Sequence, residues 1–263
     1  SWSYAQDESL MTGMLIQKKK TYVLKPNGIM ATKWYKTGKD WYYLDESSGE
    51  MLQDKWVLDG GKWYYLLEDG KMAYGKITDK AGNDYMLSPV TGAMMTNWYD
   101  ATGKGKWYYM RPSGLLVKGW EQVDGIWYYM DEKTAVMKTS WQEIKGIWYY
   151  LKPSGAMATG WFKDGKGTWY YLQSSGAMAT GWYNENGTWY YLQSSGAMAT
   201  GWEEVKGIWY YLKPSGAMET GWLKDSKGTW YYLQSSGAMA TGWQTIGGKT
   251  YYMDKTSGAM VTG

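Results

Sequence analysis

The chain of 263 residues contains no cysteine, no histidine and one phenylalanine. Without cysteine it forms no disulfide and offers no thiolate, and without histidine it lacks the commonest general base and metal ligand. No apolar run approaches the roughly 20 residues needed to span a bilayer. The net charge of +3, from 28 basic and 25 acidic residues, gives no electrostatic basis for binding nucleic acid. We therefore expect no metal, no cofactor and no transmembrane segment.

Tryptophan, tyrosine and glycine are abundant instead, with 20, 27 and 35 residues. Trp and Tyr combine an apolar ring with a polar group, which suits partly exposed surfaces that face a ligand. The glycines recur at fixed positions, which indicates turns and not disorder.

A motif of 20 or 21 residues repeats along the chain, and residues 171–182 and 191–202 are identical. The clearest copies contain Gly-Trp, a polar turn, Trp-Tyr-Tyr-Leu and a linker with Gly-Ala-Met, and they begin at Trp161, Trp182, Trp202 and Trp222. Such self-similarity is typical of repeat architectures. We call the Trp after Gly the first slot and the Trp before Tyr-Tyr the second slot. The first slots hold Met14, Trp34, Trp56, Lys76, Trp98, Trp120, Trp141, Trp161, Trp182, Trp202, Trp222 and Trp243. The second slots hold Thr21, Trp41, Trp63, Asp84, Trp107, Trp127, Trp148, Trp169, Trp189, Trp209, Trp230 and Thr250.

Each copy predicts one β-hairpin followed by a linker. In the copy that begins at Trp182, Asn186-Gly187 separates two strand-forming runs, and Asn-Gly in that position is a strong hairpin signal. Because an isolated two-stranded hairpin is marginal in water, neighbouring copies must stack to be stable. The predicted fold is an all-β solenoid of stacked hairpins.

Three regions of different regularity divide the chain. Residues 1–33 are a divergent partial start, residues 34–97 include a degenerate copy at 76–97, and residues 98–263 form the regular array. No signal-peptide pattern opens the sequence. Trp2 begins a fragment of a copy, and the last copy stops where a further Trp would follow. We therefore expect a piece of a longer protein.

The aromatic pattern predicts a ligand site at each seam between hairpins. Side chains alternate between the two faces of a strand, so Trp189 and Tyr191 share one face while Tyr190 and Leu192 share the other. Two indoles, a phenol and the Met of the copy would suit a quaternary ammonium ion, held by roughly 0.5–2 kcal/mol per cation–π contact. The alternative is that these rings only form the core between repeats. Trp in two slots favours the ligand site, because a buried indole N–H needs a partner.

At these residues the chain resembles a known family. The pattern Gly-Trp…Trp-Tyr-Tyr-Leu…Ser-Gly-Ala-Met-Ala-Thr-Gly-Trp is similar to the choline-binding repeat of surface proteins from pneumococci and their phages, most closely from Trp98 onward. The resemblance implies a left-handed β-solenoid with choline sites between consecutive repeats. It also implies non-covalent attachment to phosphocholine on wall teichoic and lipoteichoic acids, at the outer surface of a bacterium.

Carried over to this sequence, the resemblance implies eight choline sites, each with both Trp of one copy, the second Tyr of the next copy and a nearby Met or Leu. The sites are Trp34, Trp41, Tyr65 with Met51; Trp98, Trp107, Tyr129 with Leu116; Trp120, Trp127, Tyr150 with Met137; Trp141, Trp148, Tyr171 with Met157; Trp161, Trp169, Tyr191 with Met178; Trp182, Trp189, Tyr211 with Met198; Trp202, Trp209, Tyr232 with Met218; and Trp222, Trp230, Tyr252 with Met239.

Four seams depart from the pattern and are expected to be empty or weak. The copy at Trp56 is followed by Met86 where the second Tyr is expected. The copies at Met14 and Lys76 lack both Trp, and Trp243 has Thr250 in its second slot.

An enzyme is the less favoured class for this chain. The acidic residues lie on hairpin turns at positions that differ between copies, whereas a catalytic pair should be unique. Asp79 and Asp84 in the degenerate copy are the one candidate pair. We expect any catalytic domain, such as a wall hydrolase, to lie elsewhere in the parent protein.

Two other binding functions remain open. Glucan-binding repeats are similar aromatic hairpin arrays, since sugars also stack on Trp and Tyr, but sugars need polar partners for their hydroxyl groups. A third interpretation is an adhesin, in which choline only anchors the protein while the exposed faces bind a host protein.

Overall fold

The computed structural model describes residues 5–6, 9–10 and 12–262. The fragment that the sequence places at Trp2 lies outside the described residues. Every regular element in the described chain is a β-strand, and consecutive strands pair as thirteen antiparallel two-stranded hairpins. The hairpins are Ala5–Gln6 with Ser9–Leu10 (β1, β2), Gly13–Gln17 with Lys20–Leu24 (β3, β4), Lys33–Thr37 with Asp40–Leu44 (β5, β6), Lys55–Asp59 with Lys62–Leu66 (β7, β8), Gly75–Thr78 with Asp84–Leu87 (β9, β10), Asn97–Asp100 with Trp107–Met110 (β11, β12), Gly119–Val123 with Ile126–Met130 (β13, β14), Ser140–Ile144 with Ile147–Leu151 (β15, β16), Gly160–Lys163 with Trp169–Leu172 (β17, β18), Gly181–Glu185 with Thr188–Leu192 (β19, β20), Gly201–Val205 with Ile208–Leu212 (β21, β22), Gly221–Lys224 with Trp230–Leu233 (β23, β24) and Gly242–Ile246 with Lys249–Met253 (β25, β26).

The expected hairpins are confirmed, and the Trp182 hairpin shows how the sequence forms them; we name each hairpin by the residue in its first slot. Trp182 pairs with Tyr191 across the two strands. The turn residues Asn186 and Gly187 have φ angles of 51° and 86°. Positive φ at both central residues matches the twist of the flanking strands, which is why Asn-Gly occupies this turn.

Inside each unit, linkers tie a hairpin to the preceding one. After the Trp182 hairpin, Met198 forms an antiparallel bridge with Leu192. The backbone N–H of Met198 donates to the carbonyl oxygen of Trp169, 2.8 Å away in the preceding hairpin. The linker therefore closes its own hairpin and lies along the edge of its neighbour.

From the Trp34 hairpin onward, each hairpin contributes one fully buried Leu or Met, from the end of its second strand, to a column of buried residues inside its unit. The side chain of Leu66, for example, is covered by Tyr43 of the preceding hairpin and by Met72 of its own linker. The fully buried Leu and Met residues are Leu44, Leu66, Leu87, Met110, Met130, Leu151, Leu172, Leu192, Leu212, Leu233 and Met253.

The chain divides into two compact units, residues 1–138 and 139–263. Each contains several stacked hairpins of the same kind. The three regions of regularity expected from the sequence stay a prediction. No helix in the described part of the chain is long and apolar enough to cross a membrane.

Some linkers are closed by an aspartate that accepts several hydrogen bonds. The backbone N–H of Thr134, the ammonium of Lys138 and the backbone N–H of Lys133 keep the pKa of Asp131 below its usual range. Because the pKa is lower in the folded than in the unfolded chain, ionised Asp131 stabilises the fold above about pH 4, and this contribution is lost as the pH falls through the folded pKa.

Acidification below about pH 4 is therefore expected to lower the urea midpoint of unfolding, and Asp131→Asn should remove part of that dependence. The exposed Glu68 serves as a control, since Glu68→Gln should leave the acid dependence as it is. Unchanged acid dependence in Asp131→Asn would show that this turn does not contribute.

Candidate functional site

The clearest site lies between the Trp222 and Trp243 hairpins. Trp222 and Trp230 stand perpendicular to each other, with ring centroids 6.1 Å apart and an interplanar angle of 89°. The ring of Tyr251, in the next hairpin, lies 4.9 Å from that of Trp222. Together with Met260 these side chains line an open cavity of about 290 Å³. This volume is at the small end of ligand pockets, which suits a small ligand.

Strand pairing brings the four side chains together. Trp222 pairs with Tyr232 and Lys224 with Trp230, so both indoles project from the same face of one hairpin. Tyr251 belongs to the opposite face of the next hairpin, which covers the first. Met260 follows that next hairpin, and its backbone N–H donates to the carbonyl oxygen of Trp230 at 2.7 Å. The cage therefore takes two walls from one repeat and two from its successor.

The same group recurs at other seams inside each unit. We call each group a cage and name it by its first Trp; every first Trp lies 4.6–5.0 Å from the Tyr of the next hairpin. In each cage the Met N–H donates to the carbonyl oxygen of the second Trp. Among the described residues the cages are Trp34, Trp41, Tyr64, Met72; Trp56, Trp63, Tyr85, Met94; Trp98, Trp107, Tyr128, Met137; Trp141, Trp148, Tyr170, Met178; Trp161, Trp169, Tyr190, Met198; Trp182, Trp189, Tyr210, Met218; Trp202, Trp209, Tyr231, Met239; and Trp222, Trp230, Tyr251, Met260.

The second Trp of each cage is not a core residue. In seven of these cages its exposed fraction is 37–43%, and in the eighth Trp41 is half-buried. The Leu or Met at the end of the same strand is fully buried in all eight. A hairpin array that needed the indole only for packing would cover it, because burial of the ring is what stabilises packing. The exposed face is therefore available to a ligand.

The electrostatics of the cages favour a cation. The indole N–H of Trp34 donates to the carboxylate of Asp59 at 3.0 Å, and that of Trp161 donates to Glu185 at 2.9 Å. Each carboxylate belongs to the next hairpin, orients the indole and places negative charge beside the cage. Burial, followed by the charge of Asp225, raises the pKa of Tyr231, so this ring stays a neutral phenol at physiological pH. Neutral aromatic faces attract cations.

The structure corrects the expected tyrosines. The second Tyr of each pair was expected to meet the Trp of the preceding hairpin, but Tyr191 packs on Trp182 of its own hairpin at 5.0 Å. The first Tyr, Tyr190, is the one that contacts Trp161 of the preceding hairpin. Consecutive hairpins stack front to back, so the face that carries Trp cannot also be the face presented to the preceding repeat. The residues misplaced in this way are Tyr65, Tyr129, Tyr171, Tyr191, Tyr211, Tyr232 and Tyr252.

The expected Met residues are also displaced by one repeat. Because each linker lies along the preceding hairpin, the Met at a cage comes from the following copy. Met198, for example, was assigned to the Trp182 cage but bonds to Trp169 in the Trp161 cage. Met137, Met178, Met218 and Met239 move in the same way, to the Trp98, Trp141, Trp182 and Trp202 cages.

Met51 and Leu116, assigned to the Trp34 and Trp98 sites, belong to seams without Trp. The N–H of Met51 donates to Thr21, and that of Leu116 donates to Asp84. The one copy in which Leu replaces Met thus lies at a seam whose hairpin lacks both indoles. Leu116 packs there with Tyr108 in an aliphatic and aromatic cluster.

The Trp56 seam has a complete cage. It was expected to be empty because Met86 stands in the second Tyr position, but the structure uses the first position, which holds Tyr85. Trp56, Trp63, Tyr85 and Met94 line a cavity of about 230 Å³.

For the other three departures from the pattern, the expectation of empty or weak seams stays a prediction. The seams at Met14 and Lys76 contain no Trp in either slot. Trp243 is 73% exposed and has Thr250 in the second slot. The group predicted from Trp120, Trp127 and Tyr150 with Met137 combines residues of both units. It stays a prediction, as does the assignment of Met157 to the Trp141 site.

The candidate catalytic pair has structural partners. Asp79 accepts hydrogen bonds from the backbone N–H groups of Ala81 and Asn83, which hold its turn. Asp84 pairs with Lys118 at 2.6 Å and accepts a hydrogen bond from Thr78, and these contacts lower its pKa. Within the described residues no group of three or more acidic side chains is arranged to hold a metal ion.

Fold and site together define a class of protein: an all-β array of hairpins with an aromatic cage at successive seams. The family described as choline-binding repeat matches residues 11–56, 138–180, 166–201, 179–221, 199–241 and 219–263. The family described as putative cell wall binding repeat matches residues 54–72 and 118–133. The chain belongs to the choline-binding repeat family.

Solved structures from Streptococcus pneumoniae share the fold. CbpJ is 34% identical over 94% of this chain and 99% of its own, with a TM-score of 0.65. Choline binding protein F is 32% identical over 96% and 100%, with a TM-score of 0.61. The modular autolysin LytC is 27% identical over 88% of this chain but 53% of its own, with a TM-score of 0.55. No curated protein sequence matches the chain. The expected all-β solenoid of hairpins is thereby confirmed, and the chain is a cell-wall-binding repeat module of the surface-protein type.

Proposed function

We propose that this chain attaches a surface protein to the bacterial cell wall by binding choline or phosphocholine on teichoic and lipoteichoic acids. The observation that carries the proposal is the recurrence of one cage, with two perpendicular indoles, a phenol and a thioether, at successive seams. A relative, choline binding protein F, was crystallised in the presence of a peptidoglycan analogue, which supports a cell-wall ligand.

The chemistry of the cage matches a trimethylammonium group. This cation has no N–H donor, so hydrogen bonds cannot recognise it, whereas aromatic faces can attract its charge and cover its methyl groups. The Trp222 cavity is lined by Trp222, Trp230, Tyr251 and Met260, which include no carboxylate or amide side chain. A sugar would need such groups for its hydroxyls. The lining of the Trp222 cavity therefore favours choline over a glucan.

The same lining and arrangement extend to the Trp56 cage, and we include it among the proposed sites. Its cavity of about 230 Å³ is lined by Trp56, Trp63, Tyr85 and Met94 together with Ser113. A choline-dependent shift of the Trp63 indole signal would support this assignment, and an unchanged signal at saturating choline would remove the Trp56 cage from the set.

Repetition of the cage makes the attachment multivalent. A polymer that carries many choline groups can occupy several cages at once. Each further contact then forms at a high effective concentration, and the overall affinity can exceed that of a single cage by a factor on the order of 10²–10⁴. Individually weak cages can in this way hold a protein on a wall without a covalent bond.

Calorimetric titration with choline, glucose and maltose oligomers tests the proposal. We expect saturable choline binding at several sites per chain and no heat of binding from the sugars. Sugar binding without choline binding would instead assign the chain to the glucan-binding class, with the cages as stacking platforms.

The multivalent attachment predicts a small effect from loss of one cage. Trp182→Ala removes one wall of the Trp182 cage and should reduce retention on choline-containing cell walls only a few-fold, because the other cages still bind. Trp243→Ala is the matched control: it removes a Trp whose hairpin has Thr250 in the second slot, so retention should not change. Complete loss of retention in Trp182→Ala would contradict multivalent binding.

A further inference from the structure

Three cages contain a lysine whose ammonium group lies over the second indole. The lysine follows the first Trp by two residues and pairs directly with the second Trp across the hairpin. The distances from Nζ to the ring centroid are 5.4 Å for Lys36 over Trp41, 5.5 Å for Lys163 over Trp169 and 5.3 Å for Lys224 over Trp230. Since paired residues project from the same face of a hairpin, each lysine lies on the face that forms the cage.

The residue at this position varies while the cage around it does not. In the other cages the residue paired with the second Trp is not a lysine. It is the apolar Leu58, the uncharged polar Asn184, or one of the acidic residues Asp100, Glu143 and Glu204. Hairpins with all of these residues have the same register. Variation of the residue at this position therefore changes the charge beside the cage and leaves the strand pairing unchanged.

A lysine here opposes a free cation. The lysine ammonium lies within the roughly 6 Å over which cation–π attraction to the second indole acts. A ligand that brings only positive charge must therefore bind the same indole close to a second positive charge. Cages with Lys36, Lys163 or Lys224 should therefore bind free choline more weakly than cages with Glu143 or Glu204, whose side chains are exposed.

The same lysine favours a ligand that also carries a phosphate. When the quaternary ammonium of phosphocholine enters the cage, its phosphoester, two carbons away, lies near the mouth where the lysine side chain is exposed. The lysine ammonium can then pair with the phosphate, and Lys is a common point-charge partner of phosphate. We propose that Lys36, Lys163 and Lys224 make the Trp34, Trp161 and Trp222 cages selective for a quaternary ammonium phosphoester over the free quaternary ammonium. This inference rests on the proposed choline function and assigns different ligand preferences to different cages.

The test measures each cage separately through the indole N–H signals of the second Trp residues by NMR, assigned with single Trp→Phe variants. The protein is titrated with choline and, separately, with phosphocholine. In the wild type we expect the ratio of phosphocholine to choline affinity to be about twofold to fivefold higher at Trp169 and Trp230 than at Trp209, the size expected for one partly exposed ion pair.

Variants of the lysine position give opposite expected changes for the two ligands. Lys163→Gln should raise choline affinity at Trp169 and lower phosphocholine affinity there, so the ratio falls by about twofold to fivefold. Asn184→Lys should raise the ratio at Trp189, where the cage has no lysine. Lys166→Gln is the control, because this exposed lysine lies in the turn of the same hairpin.

Different outcomes would overturn the selectivity of the lysine-containing cages and the choline-binding function itself. Equal ratios at all indoles, unaffected by Lys163→Gln and Asn184→Lys, would overturn the selectivity inference while choline binding stands. Absence of any indole shift with either ligand would overturn the proposed function and this inference with it. A reduction of both affinities in Lys163→Gln, with an unchanged ratio, would assign Lys163 to packing and would also overturn the selectivity.

Discussion

Leu66→Ala is expected to lower the free energy of unfolding by about 2–5 kcal/mol, the usual cost of removing a fully buried leucine side chain. Leu66 is fully buried and packs with Tyr43, Val57 and Met72 from two hairpins and a linker. The cavity cannot close easily, because the strand pairing and the linker bond hold its walls. Since repeat arrays depend on contacts between neighbours, the loss should be concentrated in the unit that contains residues 1–138.

The next residue provides the control. Leu67 has the same side chain and is 38% exposed, so Leu67→Ala should change the free energy of unfolding by no more than about 0.5 kcal/mol. Urea denaturation followed by near-ultraviolet circular dichroism measures both variants. Equal destabilisation by the two substitutions would show that the column of buried residues is not the core of the array.

Gly196→Ala is expected to destabilise the fold and to weaken one cage that lies in an earlier repeat. Gly196 has a φ of +84°, where a Cβ costs roughly 1–2 kcal/mol. That Cβ would also lie 2.7 Å from Cε of Met178. Met178 bonds to Trp148 and completes the Trp141 cage, so it must move out of position to make room. Choline affinity at the Trp148 indole should fall several-fold.

Gly201 separates the two effects. Its φ is +78°, close to that of Gly196, but no atom lies within 4 Å of the position of an added Cβ. Gly201→Ala should therefore cause a similar loss of stability from the backbone and leave choline affinity at Trp148 unchanged. If both variants weaken the Trp141 cage equally, the effect comes from general destabilisation and not from Met178.

The hairpins and their turns could be predicted because their causes are local. Asn186-Gly187 adopts positive φ in the structure as the sequence indicates, and the strands on either side pair in the expected order. The alternation of side chains also held: Trp182 and Tyr191 share one face, and Tyr190 lies on the other. Each of these features depends on residues within one copy of about 20 residues.

The error in the choice of tyrosine arose at the step from one hairpin to the next. Alternation shows which residues share a face, but it does not show which face meets the preceding hairpin. The fully buried Leu192 is the signal that could have decided the matter, because Tyr190 shares its face and that face must be covered. The same reasoning would have identified Tyr85 and with it the Trp56 cage.

The sequence by itself determined the repeat, the all-β class, the two Trp of each cage and the family, because these follow from residue types at fixed local spacing. Only the tertiary structure decided which Tyr and which Met complete each cage, and that lysines lie over three of the indoles. Those relations depend on front-to-back stacking and on linkers that run along the preceding hairpin. Contacts between repeats are set by packing in three dimensions, and a one-dimensional period of 20 or 21 residues is compatible with more than one such arrangement.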